Sequence, residues 1–170
     1  MSPGGGRAEP GSAPTPRSFV DRRPDPIIRG MSLPIVGFSH VRITVTDIAR
    51  SRRFYDDVLG LPVAFEMPAE ADEATREQMW WLFGGVVYQV PGGFFGLRPV
   101  APGGDRFDEN RAGLDHLAFK VPSRADLDTA AARLDELGIP HDGVKDIGLG
   151  GLLEFRDPDN IAIELWADAG

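Results

Sequence analysis

Gly113-Leu-Asp-His-Leu-Ala-Phe-Lys-Val121 has the alternation of apolar and polar residues that is typical of a half-buried β-strand, with His116 near its start. An earlier stretch, Phe38-Ser-His-Val-Arg-Ile-Thr-Val45, repeats this layout with His40 in the equivalent place. Each stretch is followed by a helical pattern that ends in Leu-Gly-Leu-Pro or Leu-Gly-Ile-Pro. We therefore interpret the chain as a duplicated unit with a histidine at the same position in both copies.

The spacing of the two copies supports an internal repeat. The two histidines are 76 residues apart, and the two Leu-Gly motifs are 78 apart. Each copy continues with strand-like segments, which predicts an α+β fold of two paired βαβββ modules. We expect a cupped mixed β-sheet with the helices on its outer face. The predicted domain is 34–170, with module one at about 36–100, an inserted helix at about 68–83, and module two at about 113–167.

The alternation along the strands predicts which side chains share the cup. Successive side chains in a strand point to opposite faces, so apolar residues that pack under the helices leave His40, His116 and Glu164 on the other face. Two imidazoles and one carboxylate are a donor set that holds a divalent metal and leaves positions open. We predict Fe, Mn, Zn or Ni at this site, with Glu164 also as the candidate catalytic residue. His141 is interpreted as an ordinary exposed histidine.

Composition excludes several classes of function. The chain has no cysteine, which rules out disulfides and thiolate metal sites. The net charge is −8, and residues 31–170 carry 13 basic against 23 acidic residues, so binding to nucleic acid is disfavoured. No apolar run is long enough for a membrane span, and the proline-rich residues 1–33 resemble neither a secretory signal nor a folded segment. We expect a disordered tail, no membrane partner and a cytoplasmic protein.

From about Val36 to Ala167 the chain resembles the vicinal oxygen chelate superfamily, which includes glyoxalase I, extradiol dioxygenases, fosfomycin-resistance enzymes and bleomycin-binding proteins. The motifs that carry the resemblance are the two histidine strands, Arg53-Phe54-Tyr55, Leu59-Gly60-Leu61 and Asp157-Pro158-Asp159-Asn160 leading to Ile163-Glu164-Leu165. The resemblance implies a divalent metal held by His40, His116 and Glu164. It says little about the reaction, because this fold carries several chemistries.

One position departs from the four-ligand members of the superfamily. Alignment of Phe95-Gly96-Leu97 with Ile163-Glu164-Leu165 places Gly96 where, as the resemblance implies, two members of the superfamily, glyoxalase I and methylmalonyl-CoA epimerase, have a fourth ligand. A three-ligand site is therefore expected, with room for substrate above Gly96. The function expected is a metal-dependent enzyme, dioxygenase-like or lyase-like, acting on a small oxygen-bearing substrate. The alternative is a metal-free binding or drug-sequestering protein of the bleomycin-resistance type.

Several aromatic and basic residues are candidates for binding the substrate. Arg42 and Arg98 are candidates for holding an anionic group, unless they pair with acids such as Glu66 or Glu154. Aromatic side chains of the predicted cup are candidates for its wall: Trp80, Trp81, Tyr88, Phe94 and Trp166. A homodimer is a further expectation, and the sequence leaves open whether the cup forms within one chain or across two. The inserted segment is either a lid or a dimer contact.

Overall fold

The computed structural model describes residues 33–170, so the predicted disordered tail lies outside the described residues except for Leu33. Residues from Phe38 to Gly170 form one compact unit that holds all the helices and strands discussed below. None of the described helices is long and apolar enough to cross a membrane.

Module one forms a four-stranded sheet of order β1-β4-β3-β2, in which β1 is parallel to β4 and the other pairs are antiparallel. Its elements are β1 (His40–Thr44), α1 (Ile48–Val58), β2 (Val63–Glu66), α2 (Glu73–Gln78), a 3₁₀ turn (Trp80–Leu82), β3 (Val86–Val90) and β4 (Gly93–Arg98). Asp47 begins α1 by accepting a hydrogen bond from the Arg50 N–H at 3.0 Å. Gly60 follows the helix in the left-handed conformation, at φ +57°, which ends it as the sequence predicts.

Module two repeats this order in a second four-stranded sheet, β5-β8-β7-β6, with β5 parallel to β8. Its elements are β5 (Leu117–Lys120), α3 (Arg124–Glu136), β6 (Lys145–Asp146), β7 (Gly150–Arg156) and β8 (Ala162–Asp168). The α+β fold and the repeat of sheet order are therefore confirmed.

His141 lies in a turn before β6, and its placement corrects the prediction that it is exposed. Its side chain is only 8% exposed. One ring nitrogen accepts a hydrogen bond from the Gly143 N–H at 3.0 Å, and the other is 3.2 Å from a carboxylate oxygen of Asp135. The His141 ring therefore stabilises the turn before β6 through these two contacts.

The hydrophobic core lies between the two sheets. Phe95 of β4 and Phe119 of β5 meet edge to face with ring centroids 5.5 Å apart, and Phe54 of α1 contacts Phe155 of β7 at 6.3 Å. Residues from the helix-covered faces of both sheets form one continuous cluster. Because these two faces pack toward each other, the opposite face of each sheet points outward. These faces are not covered by α1 or α3 and are the ones that the sequence analysis assigned to the cup; from here on we call them the outer faces of sheet one and sheet two.

Polar contacts also join the two modules at the turn between β7 and β8. The Tyr55 hydroxyl, on α1, donates to Asp157 Oδ2 at 3.0 Å. The Thr46 hydroxyl and N–H donate to the Asp159 carboxylate at 2.6 and 2.9 Å, and Arg50 pairs with the same carboxylate. The Asp-Pro-Asp-Asn turn of module two is therefore attached to the start of α1 in module one.

The inserted segment is helical in two short pieces rather than one helix. Asp72 begins α2 by accepting from the Thr75 N–H at 2.8 Å. The chain then turns through the 3₁₀ segment and reverses at Phe83, which has φ +56°, and at Gly84. This reversal brings the end of the segment over the outer face of sheet one.

Candidate functional site

The outer face of sheet one carries four of the predicted site residues, His40, Arg42, Phe94 and Arg98. Strand register places Arg42 opposite Gly96 and Thr44 opposite Arg98. Their neighbour His40 is exposed at the start of β1. Its Nδ1 is 3.2 Å from the Ser39 hydroxyl, so its Nε2 has no recorded partner among residues 33–170. The histidine is thus open to a ligand from outside the chain.

The outer face of sheet two carries His116 and Glu164. Glu164 lies opposite Ala118 in the parallel register of β5 and β8, and His116 is two residues earlier on the same face. The Nδ1 of His116 lies 2.6 Å from Asp115 Oδ2, and the side chain is 45% exposed. Sequence reasoning missed Asp115, although the Asp-His pair was visible. A carboxylate on one nitrogen fixes the ring and leaves the other nitrogen for a ligand.

The three predicted metal ligands do not meet within one chain. His40 lies on the outer face of sheet one, whereas His116 and Glu164 lie on the outer face of sheet two. Across residues 33–170, no group of three His, Cys, Asp or Glu side chains is placed to hold a metal. A single copy of the chain therefore offers two donors on one surface and the third donor on another.

The space above Gly96 is filled, although the sequence analysis expected room for substrate there. A Cβ atom at this position would lie 3.0 Å from Arg42 Cγ and 3.3 Å from Arg42 Nε. The arginine side chain therefore lies across the glycine. Its terminal nitrogens donate to the main-chain carbonyls of Trp81 and Leu82 at 2.7 and 3.2 Å. Arg42 thus fills the space above Gly96 and attaches the inserted segment to the sheet.

An apolar cavity of about 160 Å³ opens beside His40 on this face. We call it the slot, and its lining residues are His40, Val41, Arg42, Phe65, Trp81, Val87, Phe94 and Gly96. Phe65 contacts both Trp81 and Phe94, with ring centroids 5.5 and 6.1 Å apart. Phe94, a predicted wall residue of the cup, lies on this surface. Phe65 was missed because its short strand, β2, gave no clear alternation.

Tyr88 lies on the opposite face of the sheet from the slot, which corrects the expectation that it lines the cup. Its side chain is 0% exposed, stacks on Phe95 and donates to Asp56 Oδ1 at 2.8 Å. Burial and this hydrogen bond to a carboxylate raise its pKa. Tyr88 is therefore part of the core.

The two remaining tryptophan candidates lie outside the slot. Trp80 is 67% exposed on the inserted segment and contacts Phe83. Trp166 lies on sheet two, and its indole N–H donates to Asp168 Oδ1 at 2.9 Å. Neither side chain lines the cavity beside His40 within one chain.

Comparison with known proteins places the fold in a family. The Glyoxalase/Bleomycin resistance protein/Dioxygenase superfamily profile matches residues 37–165. The chain belongs to this superfamily. A glyoxylase/bleomycin resistance protein/dioxygenase domain from Frankia sp. EAN1pec superimposes with a TM-score of 0.62 and 31% identity, covering 79% of this chain and 93% of that one.

Curated relatives are similar at comparable identity. The uncharacterized protein YaeR of Escherichia coli (strain K12) is 29% identical over 129 residues, which is 75% of this chain and 92% of that protein. The catechol-2,3-dioxygenase of Bacillus subtilis (strain 168) is 30% identical over 129 residues, covering 76% of this chain and 40% of the dioxygenase. This chain thus spans less than half the length of that enzyme.

Proposed function

We propose that this chain is a divalent-metal-dependent enzyme that acts on a small oxygen-bearing substrate at a site shared by two copies of the chain. The observation that carries the proposal is the pair formed by His116 and Glu164 on the outer face of sheet two. Asp115 holds one nitrogen of the histidine at 2.6 Å, which directs the other nitrogen outward. An imidazole and a carboxylate from neighbouring strands fit a divalent metal as two of its ligands.

His40 fits as the third ligand when it comes from a second copy. Among residues 33–170, the strands β1 and β5 each lie at the edge of a sheet and pair with one neighbouring strand. Edge strands present unpaired N–H and C=O groups to which another strand adds. A second copy that places its β1 beside β5 brings its His40 to the surface that carries His116 and Glu164. A homodimer of this kind has two equivalent sites.

The metal would supply Lewis-acid polarisation of a substrate oxygen. The residues of the chain do the remaining work. Asp115 orients His116, Glu164 supplies negative charge as the candidate catalytic residue, and the slot beside His40 receives the apolar part of the substrate and excludes water. Between dioxygenase-like and lyase-like chemistry, the similarity to the catechol-2,3-dioxygenase supports the first. Oxygen uptake with catechol under Fe(II) reconstitution tests that choice.

Metal analysis of single variants tests the ligand set. After anaerobic reconstitution, wild type is expected to retain divalent metal, and Glu164→Gln is expected to lose it. Glu154→Gln is the matched control, because Glu154 lies opposite Glu164 on the same face and is already engaged by Lys145 at 2.8 Å. Equal metal content in the two variants would refute the ligand assignment.

A mixed dimer tests the sharing of the site. His40→Ala and Glu164→Gln chains with different tags are combined, and the heterodimer is isolated. Two-fold symmetry predicts that one of its two sites receives only intact ligands, so metal content should recover to about half of the wild-type value. A heterodimer without metal would contradict a site built from two copies.

The alternative is a metal-free protein that binds small aromatic molecules. The slot favours it, since its aromatic lining exists in one copy of the chain without any metal. Binding of phenol, followed by tryptophan fluorescence in wild type and Glu164→Gln after reconstitution with divalent metal, separates the two. Equal affinity with no metal retained in either protein supports the alternative.

A further inference from the structure

Arg42 and Arg98 lie near each other on the outer face of sheet one, and no acidic side chain among residues 33–170 pairs with either of them. Their guanidinium carbons lie 5.6 and 4.0 Å from the centroid of the same aromatic ring, that of Phe83. Within the described part of the chain, neither guanidinium group forms an ion pair. The acids that sequence analysis offered as partners are engaged elsewhere, because Glu66 pairs with Arg52 and Glu154 with Lys145.

The contacts of Arg42 orient its charge without cancelling it. Its two terminal nitrogens donate to neutral carbonyls of the inserted segment, and its buried Nε has no hydrogen-bond partner in the described part of the chain. A partly buried positive charge that has only neutral partners is costly to hold. It is further disfavoured by a second positive charge nearby.

Arg98 has terminal N–H groups without a partner among residues 33–170, whereas its Nε is buried. Its guanidinium carbon lies 4.0 Å from the centroid of the Phe83 ring. Its side chain donates no hydrogen bond to residues 33–170. Stacking on an aromatic ring occupies the flat face of a guanidinium group and leaves its N–H donors at the edge. Phe83 is held there by its left-handed backbone at the reversal of the inserted segment.

Arg42 lines the slot, and Arg98 lies beyond the slot, further along the same face from His40. The slot runs along the outer face from His40, past Phe94 and Gly96, to Arg42. Arg98 follows Gly96 by two residues on the same face of β4. A ligand with an oxygen at the His40 end and an apolar body in the slot would therefore reach Arg42, and a group that extends past the slot would approach Arg98.

The geometry points to an oxyanion site at Arg98 and Arg42 that binds a carboxylate or phosphate group carried by the substrate. This assignment deepens the proposed function and rests on it, because it takes the His40 end of the slot as the reactive end. Arg98 supplies the donors, and Arg42 supplies a fixed second charge. In a chain of net charge −8, such a positive pair also attracts an anionic ligand to this face.

Binding to metal-free full-length protein tests the site separately from the metal. The probes are benzoate, which has a ring and a carboxylate, benzyl alcohol, which has a similar ring without charge, and inorganic phosphate. Affinities are measured by calorimetry and by tryptophan fluorescence. Wild type is expected to bind benzoate about tenfold more tightly than benzyl alcohol, and the preference should shrink as salt rises.

Substitutions of single arginines identify the residue that causes the preference for benzoate over benzyl alcohol. Arg98→Gln is expected to abolish the preference for benzoate, and Arg98→Lys to retain part of it. Arg53→Gln, which removes the same charge from an exposed position on α1, should retain the full preference. All variants should keep the metal content of wild type after reconstitution, which separates failure here from failure of the proposed function.

Three results would overturn the assignment. Equal affinity for benzoate and benzyl alcohol in wild type would show that the site does not recognise an anionic group. A preference that survives Arg98→Gln would place the anion elsewhere. Phosphate binding that depends on Arg98, without any preference for benzoate, would assign the arginines to a free anion rather than to the substrate.

Discussion

Asp157→Asn is expected to stabilise the protein at neutral pH, although Asp157 is well hydrogen-bonded. The carboxylate is 5% exposed at the turn between β7 and β8. Its Oδ1 accepts from the N–H groups of Asp159 and Ile161 at 2.9 and 2.7 Å, and its Oδ2 accepts from Tyr55. Asparagine offers the same Oδ1 acceptor, and its amide group can donate to the tyrosine oxygen.

The expected change in the free energy of unfolding follows from the pKa of Asp157. Burial raises this pKa from 3.8 to about 6, and the hydrogen bonds to its oxygens only partly oppose the effect. Because the folded-state pKa is raised, the folded chain binds more protons than the unfolded chain between these values, and stability falls as pH rises through that range. At about 1.4 kcal/mol for each pKa unit, ionisation of Asp157 costs about 3 kcal/mol of stability at neutral pH.

Urea unfolding of wild type and Asp157→Asn across a pH series checks this value. The other acids titrate in both proteins, so the difference between the two free energies of unfolding isolates Asp157. Between about pH 4.5 and about pH 7.5, wild type should lose about 2 kcal/mol relative to the variant. A difference that is constant over this range, or one that moves in favour of wild type as pH rises, would show that the buried charge is compensated and that the reasoning is wrong.

Two further predictions concern packing. Gly96→Ala should force Arg42 away from the carbonyls of the inserted segment, because its Cβ would lie 3.0 Å from Arg42 Cγ. We expect a loss of about 1–3 kcal/mol and faster proteolysis within residues 68–85, with Gly103→Ala, whose Cβ meets nothing within 4 Å, as the unaffected control. Leu134→Ala, at a fully buried position of α3, should cost about 2–5 kcal/mol in urea unfolding. Leu149→Ala, at a side chain that is 75% exposed, should change stability by less than about 0.5 kcal/mol.

The fold was predictable because its signals are local. Period-two alternation in β1, β5 and β8 separates a buried face from an exposed one, and the outward direction of His40, His116 and Glu164 follows from it. Tyr88 shows where that signal fails. It lies in Val86-Val-Tyr-Gln-Val90, where apolar residues occur on both faces, so its direction depends on contacts with Phe95 and Asp56 that are distant in sequence.

The arrangement of the candidate site was not predictable for a related reason. The direction of a side chain from its own sheet says nothing about which faces of the two sheets pack together. The core contact of Phe95 with Phe119 decides this, and it sends the two histidines to different surfaces of one chain. The contacts of Arg42 with Trp81 and Leu82 likewise depend on a reversal some 40 residues later, at Phe83 and Gly84.

The position of Arg42 across Gly96 has a consequence for how this chain can evolve. A glutamate at position 96 alone would collide with the arginine before it could reach a metal, and loss of the arginine alone would release the inserted segment without adding a ligand. Each single step is therefore harmful, and only the two together open the position. Neighbouring residues that share a contact show such non-additive effects. This epistasis would separate lineages with three ligands from lineages with four, even where the rest of the fold is unchanged.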